Sequence, residues 1–156
     1  MGTTDGCTDG TETRDGLPFV DEHTVLVPAP RPRVWAALES PRVTSLRLTE
    51  GGLPARMLGT SPPAGFEVAQ SSPPERLALA GRHRFSRYLL VFELADTGDG
   101  GTRLAARTFA AFPGARGRLY RVLVIGTRIH VLATRRILRS VRRLSVEPTA
   151  PGDPAA

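Results

Sequence analysis

Lysine is absent from the chain of 156 residues, and cysteine, tryptophan and tyrosine are scarce. The single cysteine, Cys7, excludes an internal disulfide and is typical of a reducing compartment. No uncharged apolar run approaches the roughly 18 residues of a membrane-spanning helix, and no basic, then apolar segment resembles a secretory signal. The sequence therefore predicts a soluble, cytoplasmic protein without a transmembrane segment.

The basic charge is unevenly distributed, although the formal net charge is only +6. Residues 1–16 carry one arginine and four acids (−3), and residues 147–156 carry two acids (−2), which leaves 20 arginines and 9 acids (+11) between them. Such a surface favours anionic partners, such as nucleic acid or an acidic membrane. The exclusive use of arginine in an Ala-, Gly- and Pro-rich chain equally indicates biased genome composition. Because surface aromatics for base stacking are missing, we expect no specific nucleic-acid partner.

The two ends of the chain lack large apolar side chains. Segments of that kind bury too little surface to offset the entropy lost on ordering. We therefore predict disordered tails over residues 1–17 and 147–156, on either side of one domain over 18–146. A chain of this length can bury a core of its own.

The first part of the domain changes from a strand pattern to a helix pattern. Residues 19–27 are rich in β-formers and alternate along the chain, which predicts a strand. Pro30 and Pro32 favour a helix start, followed by an apolar face that contains Trp35. A second short helix is predicted over 41–48, whereas 51–65 is turn-rich with at most one short strand.

Four further strands are predicted over 66–71, 76–84, 87–95 and 102–112. The turn-forming segments "SSPPE" and "DTGDGG" separate them, the second as a hairpin loop. Each of the last three strands has one largely apolar face, as antiparallel strands on a core do. The opposite face is predicted to be convex and solvated, and to carry Arg82, Arg84, Arg103 and Arg107.

A helical period begins after Gly114 and continues to Leu144. At about 29 residues this helix would be roughly 43 Å long, and only the sheet could cover its apolar stripe. The sequence therefore predicts an α+β fold, with a curved antiparallel sheet wrapped around a long C-terminal helix. The predicted buried stripe is Leu119, Leu123, Gly126, His130, Ala133, Ile137, Val141 and Leu144. The predicted solvated side is Arg121, Arg128, Arg135, Arg139 and Arg142, and Val124, Val131 and Leu138 beside it form a possible homodimer contact.

The order of these elements resembles the helix-grip superfamily, also called SRPBCC or START-like. The segments "VLVPAPRPRVWAAL" (25–38) and "GTRLAARTFAAF" (101–112), which leads into the last helix, carry the resemblance over residues 19–145. The blocks at 81–94 and 119–131 are most similar to a bacterial branch related to polyketide cyclases. The short, Pro/Gly-rich 51–65 region departs from larger members of the superfamily.

This resemblance implies a cavity between the sheet and the long helix that holds an apolar or amphipathic molecule, such as a lipid, polyketide or isoprenoid. An enzyme of the polyketide cyclase or aromatase type is the alternative. Gly126, in the middle of the helix, either opens space above the sheet or allows close packing, since glycine there costs about 1 kcal/mol relative to alanine.

The residues that can carry chemistry are few. His23, His83 and His130 lie on different predicted elements and there is no cysteine pair, so no metal site is predicted, and no cofactor motif occurs. We see no serine in a nucleophile-elbow context and no acid placed to orient a histidine. On the inward face we predict a ligand-binding set, within which His130 and Tyr88 are the catalytic candidates; the alternative for His130 is a structural histidine with its hydrogen bonds satisfied. The set is His83, Tyr88, Thr108, Gly126 and His130.

Overall fold

The computed structural model describes residues 13–14, 16–49, 66–83, 86–114 and 129–147. Its strands and helices follow the predicted order, with short helices after the first long strand and a helix at the C-terminal end. In chain order they are β1 (Thr13–Arg14), β2 (Leu17–Val27), α1 (Arg31–Glu39), α2 (Pro41–Thr49), β3 (Glu67–Ser72), β4 (Arg76–His83), β5 (Ser86–Asp96), β6 (Thr102–Ala111) and α3 (Ile129–Val146).

The strands form one curved antiparallel sheet in the order β1-β2-β6-β5-β4-β3. The strands β3 to β6 pair in chain order, whereas β2 pairs with β6, which follows it only after β3, β4 and β5. The predicted α+β fold is confirmed, and β3 to β6 begin and end within one residue of the predicted bounds. The strand β1 and the buried Leu17 lie within the segment 1–17 that the sequence predicts to be a tail.

The loop between β5 and β6 is the hairpin that "DTGDGG" predicts. The Thr97 N–H donates to the Gly101 carbonyl (2.9 Å), and the Gly101 N–H donates to Asp99 Oδ1 (3.2 Å). Gly100 has a φ of 82°, in the left-handed region that glycine adopts without steric cost. The turn chemistry therefore fixes the β5–β6 register.

The main core lies between one face of the sheet, here called the inner face, and the helices. Because side chains alternate along a strand, every second residue of β4, β5 and β6 in this region lies in the core, at 77 and 79, at 90, 92 and 94, and at 104 and 106. Phe92 of β5 and Leu104 of β6 are fully buried, as are Val34 and Leu38 of α1. The short helix predicted from Pro30 thus supplies core residues that cover the end of the sheet.

The outer face of the sheet is less solvated than the sequence predicts. Arg82 and Arg103 are exposed, but Arg107 is half-buried and its Nε lies 2.8 Å from Glu22 Oε2 and 3.7 Å from Glu93 Oε2. This arginine therefore links β2, β6 and β5 across the face. A second apolar cluster is buried on the same side, formed by Leu17, Ala78, Leu89, Val91 and Phe109.

The helix α3 has two sets of partners. It contacts β2 and β6, and also α1 and α2. For this reason Leu138 is only 3% exposed and belongs to the main core. The prediction that Leu138 lies in a surface stripe for dimer contact is wrong, since that stripe did not allow for α1 and α2 as partners. Arg135, Arg139 and Arg142 are exposed as predicted.

The predicted helical segment before Ile129 lies outside the described residues. It includes Val124, Gly126 and Arg128, so the predictions for these three positions stay predictions. Within the described ranges, no helix is both long and apolar enough to cross a membrane.

Candidate functional site

The inner face of the sheet changes character along its length. At the end beside α1, Val27, Phe92 and Leu104 are exposed by 1% or less. At the other end, Asp21, His23, Tyr88 and Thr108 are only partly buried. The same face is therefore a closed apolar core at one end and a part-accessible polar surface at the other.

A bulge in β2 places the polar residues on the inner face. Phe19 pairs with Phe109, but the next register pair is Asp21 with Thr108, so β2 uses one residue more than β6. A slip of one residue moves the following side chains to the other face. Phe19 consequently lies against the Phe109 ring on the outer face, with ring centroids 5.8 Å apart. Asp21 and the alternate residues after it point inward.

Asp21 joins the sheet to the C-terminal helix. Its Oδ2 lies 2.9 Å from Nε2 of His130, in the first turn of the described part of α3. The two side chains are 20% and 18% exposed, so the hydrogen bond is largely withdrawn from water. A hydrogen bond between an imidazole and a carboxylate fixes the ring orientation of the histidine.

A second imidazole approaches the same carboxylate oxygen. His23 lies two residues after Asp21 on the same face of β2, and its Nε2 is 3.3 Å from Asp21 Oδ2. This contact lacks hydrogen-bond geometry, and among the described residues His23 Nε2 has no hydrogen-bond partner. Two histidines that the sequence places on different elements therefore converge on one acid.

Thr108 completes the group. It is the cross-strand partner of Asp21 on β6. Both Thr108 Oγ1 and Asp21 Oδ1 are inaccessible to solvent, and within the described part of the chain neither meets a hydrogen-bond partner. Buried polar atoms are paired in the great majority of cases. Asp21, His23, Thr108 and His130 are called the Asp21 cluster below.

The Asp21 cluster favours the ionised carboxylate. Burial is the largest single influence on the pKa of Asp21 and raises it, because a charge is less stable away from water. The hydrogen bond from His130, the adjacent Thr108 hydroxyl and the positive charges of His130 and His23 act in the opposite direction. The Thr108 hydroxyl acts on the carboxylate from close by, although it falls outside strict hydrogen-bond geometry. Together these groups outweigh burial, and the pKa of Asp21 lies below the usual 3.8.

The structure brings two of the predicted site residues together, His130 and Thr108. Tyr88 lies on the same face two strands away from Asp21, and its ring packs edge-on against Phe66 with centroids 5.0 Å apart. The backbone of His83 ends β4 opposite Ser86. The His83 side chain and Gly126 lie outside the described part.

The prediction that no acid orients a histidine is wrong, because Asp21 holds His130. The signal was present in the alternation of β2. Carried back from Val27 through Val25 to His23 and Asp21, it places all four side chains on one face. Across the described ranges, no set of three or more side chains is arranged to hold a metal ion.

Comparison with known proteins identifies similar folds only. No protein-family model and no curated protein matches the chain. A conserved protein from Geobacillus kaustophilus matches with a TM-score of 0.54 at 16% identity, over 80% of this chain and 93% of that one. A protein from Rhizobium loti gives 0.51 at 21% identity, over 80% and 96%. A protein from Chromobacterium violaceum gives 0.53 at 16%, over 82% and 97%. At such identities the chain shares a fold with these conserved bacterial proteins, and the likeness extends no further.

Proposed function

We propose that the protein binds a small apolar or amphipathic molecule between the inner face of the sheet and α3. The resemblance to helix-grip, SRPBCC or START-like proteins implies this function. The observation that carries the proposal is the change along the inner face from a closed apolar core to a part-accessible polar end. Sites for small molecules are mostly apolar, with a few polar groups that fix orientation.

The boundary between the two ends runs through β2. Val27 is 1% exposed, Val25 is partly buried against the main core, and His23 and Asp21 follow with polar atoms. A molecule with an apolar body and one polar group matches that order, with its body beside Val25 and its polar group at the Asp21 cluster. In a protein that binds no ligand, a half-buried polar cluster of this size would lower the stability of the fold, and no function would compensate for that loss.

A fluorescent apolar probe tests the proposal. N-phenyl-1-naphthylamine should bind the wild-type protein with saturable enhancement of its emission. Val25→Trp should weaken probe binding by about tenfold, because the indole fills the space beside the cluster, while the midpoint of urea unfolding changes little. Leu26→Trp is the matched control, since the neighbouring Leu26 is 63% exposed on the outer face.

Two results would overturn the proposal. One is a wild-type protein that binds no apolar probe. The other is a Val25→Trp variant that loses about 1–3 kcal/mol of stability, the cost of overpacking a solid core, with no specific effect on probe binding.

The pairing of Asp21 with His130 favours a second candidate, an acid–base enzyme of the polyketide cyclase or aromatase type. An imidazole held by a carboxylate is a common proton-transfer group. Such reactions remove a proton next to a carbonyl, so the protein should accelerate deuterium exchange at the α-carbons of 2-decanone in D₂O. His130→Gln should abolish that acceleration. Exchange at the uncatalysed rate with the wild type leaves the binding function alone.

A further inference from the structure

We infer that the molecule bound at this site carries a neutral hydroxyl group, an alcohol or phenol, whose O–H donates to Asp21 Oδ1 and whose oxygen accepts from the Thr108 hydroxyl. The inference rests on the proposed function and specifies its ligand. Its geometric basis is the pair of buried oxygens on adjacent strands, Asp21 Oδ1 and Thr108 Oγ1. Within the described residues both are without a hydrogen-bond partner.

The two carboxylate oxygens of Asp21 have different surroundings. His130 Nε2 and His23 Nε2 both lie on Oδ2, at 2.9 Å and 3.3 Å. Oδ1 is therefore the carboxylate oxygen whose hydrogen-bonding capacity is unused within the described residues. An ionised carboxylate only accepts hydrogen bonds, so the ligand atom opposite Oδ1 must be a donor.

Thr108 adds the second half of the recognition. Its hydroxyl both donates and accepts. Because the ligand hydroxyl donates its hydrogen bond to Asp21, the Thr108 O–H can donate to the ligand oxygen. A single hydroxyl group thus satisfies both protein oxygens, which an ether or a hydrocarbon cannot do.

The charge of the site separates a hydroxyl from the other polar head groups. An acid head group would bring a second carboxylate against Asp21, and like charges at this range disfavour each other. An ammonium head group would meet a carboxylate already paired with an imidazole, inside a segment, 17–146, with a net charge of +11 from 20 arginines and 9 acids. A neutral donor carries neither cost.

Ligands with one alkyl chain and different head groups test this inference. 1-Decanol, decyl methyl ether, decanoate and decylamine should be compared by displacement of N-phenyl-1-naphthylamine from the full chain. We expect 1-decanol to displace the probe roughly tenfold better than the ether, the size of one hydrogen bond to a charged group. Decanoate and decylamine should both be weaker than 1-decanol.

Variants assign the preference to the two oxygens. Thr108→Val, which keeps the shape of the side chain, should bring 1-decanol and the ether to within about threefold of each other while the probe still binds. Asp21→Asn should reduce the preference in the same way and relieve the exclusion of decanoate. Glu22→Gln is the matched control, because it also removes one negative charge from β2 but on the outer face. It should leave the ligand order unchanged.

The outcomes separate this inference from the proposed function. If the probe binds but 1-decanol and the ether displace it equally, hydroxyl recognition is wrong and apolar binding stands. If decanoate is the best competitor, the site selects acids and the inference is again wrong. If the wild type binds no probe, the proposed function and this inference are both wrong. A tenfold preference that survives Thr108→Val and Asp21→Asn would also overturn the assignment.

Discussion

The two ends of the inner face are made by the same strands and face the same helix, yet one end is apolar and closed and the other is polar and partly accessible. Near α1 the inner positions of β2, β5 and β6 are Val27, Leu94 and Leu104, each at most 5% exposed. At the other end the corresponding strands supply Asp21, Tyr88 and Thr108, all partly buried. Because the strand order is shared, the difference comes from the choice of side chains and from the short helices that pack on the first end.

That difference indicates a division of labour between stability and recognition. The apolar end is closed by Val34, Leu38 and Val43 from the short helices, and its buried hydroxyl, Thr102 Oγ1, donates to the Ala29 carbonyl at 2.8 Å. Its polar atom is thus satisfied internally. The Asp21 cluster instead keeps buried oxygens without partners among the described residues, which is costly for a fold and useful for a binding site.

The largest expected effect is at the apolar end. Phe92→Ala removes a side chain that is 0% exposed, and we expect the free energy of unfolding to fall by about 3–5 kcal/mol. Urea denaturation followed by circular dichroism measures it. A loss below about 1 kcal/mol would mean that the end beside α1 is not the tightly packed one, and the contrast would fail.

The next largest effect on stability is expected at the polar end, where Asp21 and His130 should be substituted singly and in combination. His130→Leu deprives Asp21 Oδ2 of its hydrogen bond, and we expect a loss of about 1–3 kcal/mol. This differs from the expectation for an imidazole without an acid beside it, whose removal would leave stability unchanged or higher. The variant with both Asp21→Leu and His130→Leu should recover most of the loss, because no half-buried charge remains.

The double-variant cycle also separates recognition from packing. If the Asp21 cluster exists for a ligand, the doubly apolar protein should be close to wild type in stability but deficient in 1-decanol binding. Additive losses from the two single variants would show instead that the pair is a structural device that holds α3 on β2.

The fold was predictable because its signals are local and repeated. Alternation over 76–84, 87–95 and 102–112 fixed three strands to within one residue, and the prolines before Val34 marked the start of α1. The position of Leu138 was not predictable in the same way. Its burial depends on α1 and α2 packing on the flank of α3, and a helical wheel contains no information on a second partner.

The site was half predictable for a similar reason. Periodicity placed His130 and Thr108 inward on separate elements. Alternation carried back from Val27 also places Asp21 and His23 on that face, but it does not show which helix residue they meet. The meeting of Asp21 with His130 depends on the packing of α3 on β2, a contact distant in sequence, so the strand pattern alone could not reveal it.

A smaller effect on stability is expected when the pH is lowered. Since the folded-state pKa of Asp21 is lowered, its ionised form stabilises the protein at pH values above the unfolded-state pKa, near 3.8. That contribution is lost as the pH falls through the lowered folded-state pKa. The stability advantage of the wild type over Asp21→Asn should therefore shrink as the pH falls below about 4. Urea denaturation at each pH measures it, with Glu22→Gln as control. An advantage that is already lost well above pH 4 would show that the folded state does not favour the charged carboxylate.

The smallest effect is expected on the exposed side of α3, which shares the helix with His130 but not its environment. Arg135→Glu combined with Arg142→Glu changes two exposed side chains that make no contact with the Asp21 cluster. Stability should stay within about 0.5 kcal/mol of wild type, and binding of N-phenyl-1-naphthylamine should stay within about twofold.

Weak binding of nucleic acid or acidic vesicles that disappears as salt rises fits any arginine-rich surface, because counterions are released from the polyanion. Binding that persists at physiological salt and is abolished by the two substitutions would make this side of α3 a second functional surface. The contrast between the two ends of the inner face would then describe only part of what the protein does.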